Sequence, residues 1–327
     1  MEAQKPIISN QITIEQITKS CDDDIKSFTE LFFNLEYTWM HNAYHAFNDI
    51  EKYIILVFLT NKTLKTYKEH FFSLSFEKFY HSESIEIEKI SIVEIVKELS
   101  MSKETVRRKI NELSKSGVLK RKNKTISILN PFKDQKPINN IKQLSKLLSY
   151  ISSKLKNFYG LNDYSDEYFL NLIRKNYTRH WHTFFNFQLL YILRVKKMFG
   201  SLENFYIFSV CTVNQSYNLK NSNIKNEKIK LNLANFPRVF ANFTKYKSKG
   251  LNPTTISDLT GIPRASVIRK LKKLIDKNFL IRNKSNLYLI NTPKDNPREF
   301  AKISNFFKKN QYLLRNFLKD LINQMYR

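Results

Sequence analysis

Glycine and cysteine are both scarce in this chain of 327 residues. The five glycines are widely spaced, so neither the G-x-G-x-x-G nor the G-x-x-x-x-G-K pattern occurs. The two cysteines, Cys21 and Cys211, are too few for a disulfide framework and indicate a reducing compartment. These shortages exclude a glycine loop for phosphate binding and a disulfide-stapled secreted fold.

Long apolar runs and catalytic motifs are missing as well. The longest apolar runs, such as YIILVFL at 53–59, are far shorter than the roughly 20 residues that span a bilayer. The first ten residues show no basic segment followed by an apolar one, so no signal peptide is predicted. No nucleophile elbow, H-E-x-x-H or C-x-x-C pattern is present. We expect a cytoplasmic, nucleoid-associated protein that is not an enzyme and needs no cofactor.

Positive charge is abundant and unevenly distributed. The chain has 55 Lys and Arg against 29 Asp and Glu, a formal net charge of +26. Residues 1–100 carry a net charge of −6 and the remainder +32. An AT-rich gene would enrich lysine along with Asn, Ile, Phe and Tyr, but it would not divide the charge in this way. The basic part of the chain therefore predicts a polyanionic partner.

The sequence contains an internal repeat. The chain is too long for one comfortable core, and its 42% hydrophobic content suffices for two. Residues 91–130 align without a gap with residues 252–291, at a constant offset. The identical pairs are Ile95/Ile256, Val106/Val267, Arg108/Arg269, Lys109/Lys270, Leu113/Leu274, Leu119/Leu280, Arg121/Arg282 and Asn130/Asn291. We predict two units, 1–160 and 161–327, with the boundary at the turn-like cluster after Gly160.

Helix boundaries in the repeat are marked by capping residues. Ser91 followed by Glu94 is the pattern of a capping box, and Asn252-Pro253 marks the same start in the second copy. After a short turn, a second helix is predicted to begin near Ser102 or Pro263 and to end near Gly117 or Asn278. Each copy thus predicts a helix, a turn and a helix, at 91–117 and 252–278.

Apolar positions in the second helix of each copy form one stripe. Val106, Ile110 and Leu113 in the first copy, and their counterparts in the second, lie on one side of a helical wheel. The residues that follow, 118–129 and 279–290, form two short strand-like runs and predict β-hairpins. The expected fold class is mainly α with small β-hairpins, an α+β arrangement.

These residues resemble the winged helix-turn-helix. The resemblance rests on the E-I-V-x-x-L-S-M-S, T-V-R-R-K-I-x-x-L and G-V-L-K-R stretches of 94–121. With a helical pair before the motif, Asp22 to Asn48 and Asp49 to Thr60, and a long helix after it, each unit resembles a subunit of a MarR-type transcriptional regulator. The resemblance implies dimerisation through the outer helices and one recognition helix per unit in the DNA major groove. In a fused chain it implies an intrachain pseudo-dimer.

The candidate DNA-binding residues lie on the second helix and the hairpin of each copy. Polar and cationic side chains at the outward positions of a helix can reach base edges, whereas hairpin cations more naturally meet phosphates. The helix candidates are Ser102, Lys103, Thr105, Arg107, Arg108 and Asn111, then Arg264, Ser266, Arg269, Lys270 and Lys272. The hairpin candidates are Lys120, Arg121, Lys122, Lys124, Arg282 and Lys284.

Other features leave alternatives open. His41, His45 and Asp49 are spaced by four residues and would share a helical face, which suits a metal site or, more simply, polar helix positions. No metal is predicted. Aromatic residues near both tryptophans suit a seam between the two units or a pocket for a small-molecule effector.

The sequence favours a sequence-specific regulator that binds double-stranded DNA with two different recognition helices. Glu104 aligns with Ala265 and Asn111 with Lys272, so two unequal half-sites are expected. The alternatives are a replication initiator of the plasmid type and a non-specific architectural protein of the nucleoid. The fused pair would act as a monomer or associate further into a homodimer.

Overall fold

The structure is a computed structural model, and it describes residues 11–87, 90–122, 125–129, 138–220, 249–291 and 296–325. It is mainly helical with small antiparallel sheets, which confirms the predicted fold class. The first part of the chain contains α1 (Ile14–Asp23), α2 (Ile25–Phe47), α3 (Ile50–Glu69), α4 (Phe76–His81), β1 (Ser84–Ile87), α5 (Ile92–Leu99), α6 (Lys103–Lys115), β2 (Leu119–Lys122), β3 (Thr125–Leu129) and α7 (Ile138–Tyr159). The second part contains α8 (Asp166–Lys175), α9 (Tyr177–Phe199), α10 (Leu202–Lys220), α11 (Pro253–Thr260), α12 (Arg264–Asp276), β4 (Leu280–Arg282), β5 (Tyr288–Ile290) and α13 (Pro297–Met325).

The long helices form a bundle in which the two parts of the chain interlock. Helix α2 packs against α10, and α3 packs against α9. Helix α7 packs against both α2 and α8, while α13 packs against α9 and α1. Each part therefore completes the core of the other.

Aromatic side chains occupy the contact between α2 and α9. Trp39 and Tyr191 meet edge to face, with ring centroids 6.1 Å apart. The Tyr191 hydroxyl donates a hydrogen bond to the buried carboxyl group of Glu36. Burial raises the pKa of Glu36 to about 8, so this carboxyl group is neutral at pH 7. These residues form an aromatic seam between the two parts, which is one of the two alternatives that the sequence suggested.

The two ends of the described chain are tied together. The side-chain oxygen of Asn323 accepts a hydrogen bond from the Ile12 backbone N–H at 2.8 Å, and its amide group donates to the Ile12 carbonyl at 2.9 Å. Because α1 also packs against α13, the first described helix is held by the last one.

The sheets are small and antiparallel. Strands β2 and β3 form the hairpin predicted at 118–129, and β1 adds to the outer edge of β3, which gives the order β1-β3-β2. Strand β1 was not predicted. Strands β4 and β5 form the second hairpin, and Leu251 makes an isolated bridge to Tyr288.

No helix within the described ranges is long and apolar enough to cross a membrane. Cys21 and Cys211 are both buried free thiols.

Candidate nucleic-acid interface

Helices α5 and α6, here called the first helix pair, form the predicted helix-turn-helix. Ser91 caps α5 by accepting a hydrogen bond from the Glu94 backbone N–H at 3.1 Å, and Ser100 turns the chain in the left-handed region at φ 48°. Ser102 caps α6 in the same way through the Thr105 N–H. The predicted boundaries are confirmed, but the capping box is only half formed. The Glu94 carboxylate pairs instead with Lys62 at 2.6 Å.

Helices α11 and α12, the second helix pair, repeat this geometry with different residues. Asn252 caps α11 by accepting a hydrogen bond from the Thr255 N–H at 2.8 Å, and Pro253 is the first helical residue. Gly261, in the turn, has a φ of 71°, and α12 begins after Pro263. Asn278, just after the end of α12, has a φ of 58°. Local sequence thus determines these boundaries, as expected from capping and turn preferences.

The second helix of each pair buries one side and exposes the other. Val106, Ile110 and Leu113 are buried in α6, and the matching stripe in α12 consists of Val267, Leu271 and Leu274. Because these residues recur every three or four positions, the opposite side of each helix faces solvent.

Most of the predicted residues of α6 lie on its exposed side. Lys103, Arg107 and Asn111 are exposed, and the Arg108 side chain is 64% exposed with only a 3.7 Å ion pair to Glu112 on its own helix. The hydroxyls of Ser102 and Thr105 hydrogen-bond each other at 2.9 Å as part of the cap. The structure therefore brings two arginines, a lysine and an asparagine together on an accessible helix face.

In α12, the exposed side carries Arg264, Arg269 and Lys272, and Ser266 is partly buried. Lys270 does not join this face. Its ammonium group lies 3.5 Å from the Glu203 carboxylate of α10, because its position is three residues after Val267 and four before Leu274 on the buried stripe.

The hairpin cations are only partly described. Lys120, Arg282 and Lys284 are exposed. The side chains of Arg121 and Lys122, and the whole of Lys124, lie outside the described residues.

An ion-pair network around the buried Lys109, behind α6, was not foreseen. Lys109 is only 5% exposed and forms ion pairs with Asp49 and with Glu51, the latter at 3.5 Å. Glu51 also pairs with Lys196 of α9 at 3.0 Å. A sequence indication existed: Lys109 lies three residues after Val106 and four before Leu113, on the apolar stripe. This network fixes the orientation of α6 against the helical bundle.

The metal alternative is not supported by the described residues. Asp49 pairs with Lys109, and nowhere in the described ranges do three or more His, Cys, Asp or Glu side chains form a group that could hold a metal ion. His41 and His45 have ring centroids 4.2 Å apart, and His41 Nδ1 lies 2.9 Å from the Tyr206 hydroxyl. Burial, together with His45, lowers the pKa of His41.

A cavity of about 320 Å³ lies between the first helix pair and the bundle, where α3, α5 and α9 meet. Its walls include Phe58, Leu99 and Leu189, with the polar side chains of Asn61 and His182. Burial and the nearby Lys68 and Lys65 lower the pKa of His182 to about 4, so its ring is neutral at pH 7.

Beside the second helix pair, side chains of α2 reach α11 and the turn that follows it. The Tyr37 hydroxyl donates to the Leu259 carbonyl at 3.1 Å. The His45 ring lies directly over Gly261, so close that a β-carbon at Gly261 would approach His45 Cε1 to 2.6 Å. Side chains of α2 therefore hold the turn of the second helix pair directly.

One comparison with known proteins identifies the first helix pair. Residues 86–124 match the family model described as the DeoR-like helix-turn-helix domain, which spans α5, α6 and β2. No curated protein and no solved structure matches the chain. The first helix pair is thus a helix-turn-helix of a DNA-binding class, and the match supports a DNA-binding transcriptional regulator.

Proposed function

We propose that this chain is a sequence-specific regulator that binds double-stranded DNA through both helix pairs, arranged as a pseudo-dimer within one polypeptide. The observation that carries the proposal is the exposed face of α6. This helix belongs to the matched helix-turn-helix domain, and its Arg107 and Arg108 side chains are accessible to a duplex.

Equal helix lengths support the inclusion of the second helix pair. Helices α5 and α11 have 8 residues each, and α6 and α12 have 13 each. Outside the pairs, α2 and α9 both have 23 residues, and α1 and α8 both have 10.

Reciprocal packing supports the pseudo-dimer. The contact of α2 with α10 has a counterpart in that of α3 with α9, and the contact of α2 with α7 has one in that of α9 with α13. Such reciprocity is the property of an isologous interface. It is also the arrangement that the resemblance to MarR-type regulators implies.

The two recognition faces differ, so the proposed site has two unequal halves. Glu104 in α6 aligns with Ala265 in α12, and Asn111 aligns with Lys272. Each set presents a different pattern of donors, acceptors and apolar groups to base edges. The two halves are expected about one helical turn of DNA apart.

Selection of bound duplexes from a random pool, using the full chain, tests the proposal. We expect a bipartite, non-palindromic site. On that site, Arg108→Ala or Arg269→Ala should weaken binding by about 1 to 3 kcal/mol if either arginine reads a guanine.

Lys146→Ala, which removes one exposed cation from α7, is the matched control for charge alone. A pool without sequence enrichment, together with equal affinity for random DNA at fixed salt, would contradict the proposal and favour the architectural alternative. Melting of an AT-rich stretch beside repeated sites would favour the replication initiator.

A further inference from the structure

The exposed face of α12 carries apolar side chains where α6 carries charged ones. Ile268 is 41% exposed and Ala265 is also exposed. The residues aligned with them in α6 are Arg107 and Glu104, both exposed. The two recognition faces thus differ in chemical type at the same two positions.

Ala265 and Ile268 lie side by side among cations. At 3.6 residues per turn, positions 265, 268 and 272 fall within an arc of about 60°, so Lys272 continues the same row. Arg269 is also exposed, next to Ile268 in the chain. Arg264 is held at the start of the helix by a hydrogen bond from its Nε to the Thr254 hydroxyl at 3.2 Å.

This arrangement fits duplex DNA better than an apolar protein surface. A protein partner that buried Ile268 would also have to bury or neutralise the surrounding cations, which is costly without paired carboxylates. In a DNA groove, the same cations face phosphates and the apolar side chains face base edges. In the major groove, the apolar feature of a base edge is the C5 methyl group of thymine.

We propose that Ala265 and Ile268 read thymine methyl groups, so that the half-site of the second helix pair contains thymines at the positions these residues face. The half-site of the first helix pair is read instead through polar groups of Glu104 and Arg107. This inference rests on the proposed function, since it names the bases that one of its two recognition helices selects.

Replacement of thymine by uracil in the selected duplex tests the inference. Uracil keeps the base pair and removes only the methyl group. We expect each substitution at a contacted thymine in the second half-site to weaken binding of the full chain about fourfold, the equivalent of one buried methyl group. Uracil in the first half-site should leave the affinity unchanged.

A double-mutant cycle assigns the effect to the side chain. In Ile268→Ala, replacement of the thymine that faces residue 268 by uracil should no longer weaken binding. In Arg107→Ala, the same replacement should still weaken binding about fourfold. Because Ile268 is exposed, the variant is expected to fold, and circular dichroism would verify this.

The outcomes separate the two proposals. Specific binding with no uracil penalty in the second half-site, or a penalty that Ile268→Ala leaves intact, would overturn the thymine inference and leave the regulator proposal standing. Failure of the full chain to select any sequence would overturn both.

Discussion

Several ion pairs fasten the first helix pair to the helical bundle, whereas one ion pair, a tyrosine and a histidine hold the second. Behind α6, Lys109 pairs with Asp49 and Glu51, and Lys52 pairs with Glu112 at 2.8 Å. These contacts lie at the N-terminal end of α3. The cavity beside α5 lies farther along α3, at Phe58 and Asn61.

Behind the second helix pair, Lys270 and Glu203 form an ion pair, and hydrogen bonds and close packing supply the other contacts described above. Tyr37 bonds the α11 carbonyl at Leu259, and His45 covers Gly261. Two helix pairs of equal length thus share one kind of ion pair with the bundle, through Lys109 and Lys270, and differ in their other contacts. Their attachments should therefore respond to different substitutions.

Replacement of Lys109 by Met should have the largest effect on stability. The change keeps the volume of the side chain but removes the buried ammonium group that pairs with both Asp49 and Glu51. Because these two carboxylates are 19% and 25% exposed, we expect the free energy of unfolding, measured by urea titration, to fall by about 3 kcal/mol, the lower limit for a broken buried pair.

Lys270→Met is the matched change in the second helix pair. Its side chain and that of Glu203 are 18% and 24% exposed, so a loss of about 1 kcal/mol is expected. Equal losses in the two variants would show that charge matters equally at both attachments.

Replacement of Gly261 by Ala should strain the second attachment. The new β-carbon would press on the His45 ring, and the positive φ of 71° disfavours alanine. We expect a loss of about 2 to 3 kcal/mol in the free energy of unfolding.

Gly160→Ala isolates the backbone part of that cost. Gly160 has a φ of 67° and nothing within 4 Å of the position of a β-carbon. It should cost only about 1 kcal/mol. If both glycine variants lose the same stability, the contact with His45 does not constrain the turn.

Acid should lower the stability of the folded protein through His182, which lines the cavity beside the first helix pair. Its pKa is lowered from 6.5 to about 4 in the folded protein, so below pH 6.5 the unfolded chain binds a proton that the folded chain does not. The stability from the neutral ring is present above pH 6.5 and is lost as the pH falls towards 4. When the pH falls from 7 to 5, the free energy of unfolding of His182→Gln should decrease by about 1 to 2 kcal/mol less than that of the unmodified protein.

The exposed His70, changed to Gln, serves as the control for the loss of an imidazole from the surface. Part of the acid sensitivity should remain in His182→Gln, because burial also lowers the pKa values of His180 and His41. Urea titrations of His182→Gln and His70→Gln at pH 7, 6 and 5 would measure the pH dependence of each variant.

The helix pairs were predictable because their boundaries depend on short stretches of sequence. Ser91, Asn252 and Gly261 act within one or two turns of their own position, and each has the conformation that its type favours. The half-formed capping box shows where this reasoning ends. Glu94 has a partner from α3, Lys62, and no local pattern reveals it.

Features that depend on distant partners were missed or misread. Strand β1 pairs with β3 more than 35 residues later in the chain, and its four residues alone are too short to predict. Trp39 lies in the C-terminal half of α2 and Trp181 lies near the start of α9, so the two tryptophans do not occupy equivalent places in these helices.

The hydrogen bonds between Ile12 and Asn323 can form only near the end of synthesis. A ribosome that adds about 5 to 20 residues per second exposes α1 roughly 15 to 60 s before Asn323 is made. Throughout that time, the nascent α1 lacks α13, one of the helices that cover it. Association with a chaperone during translation would be most valuable in this interval.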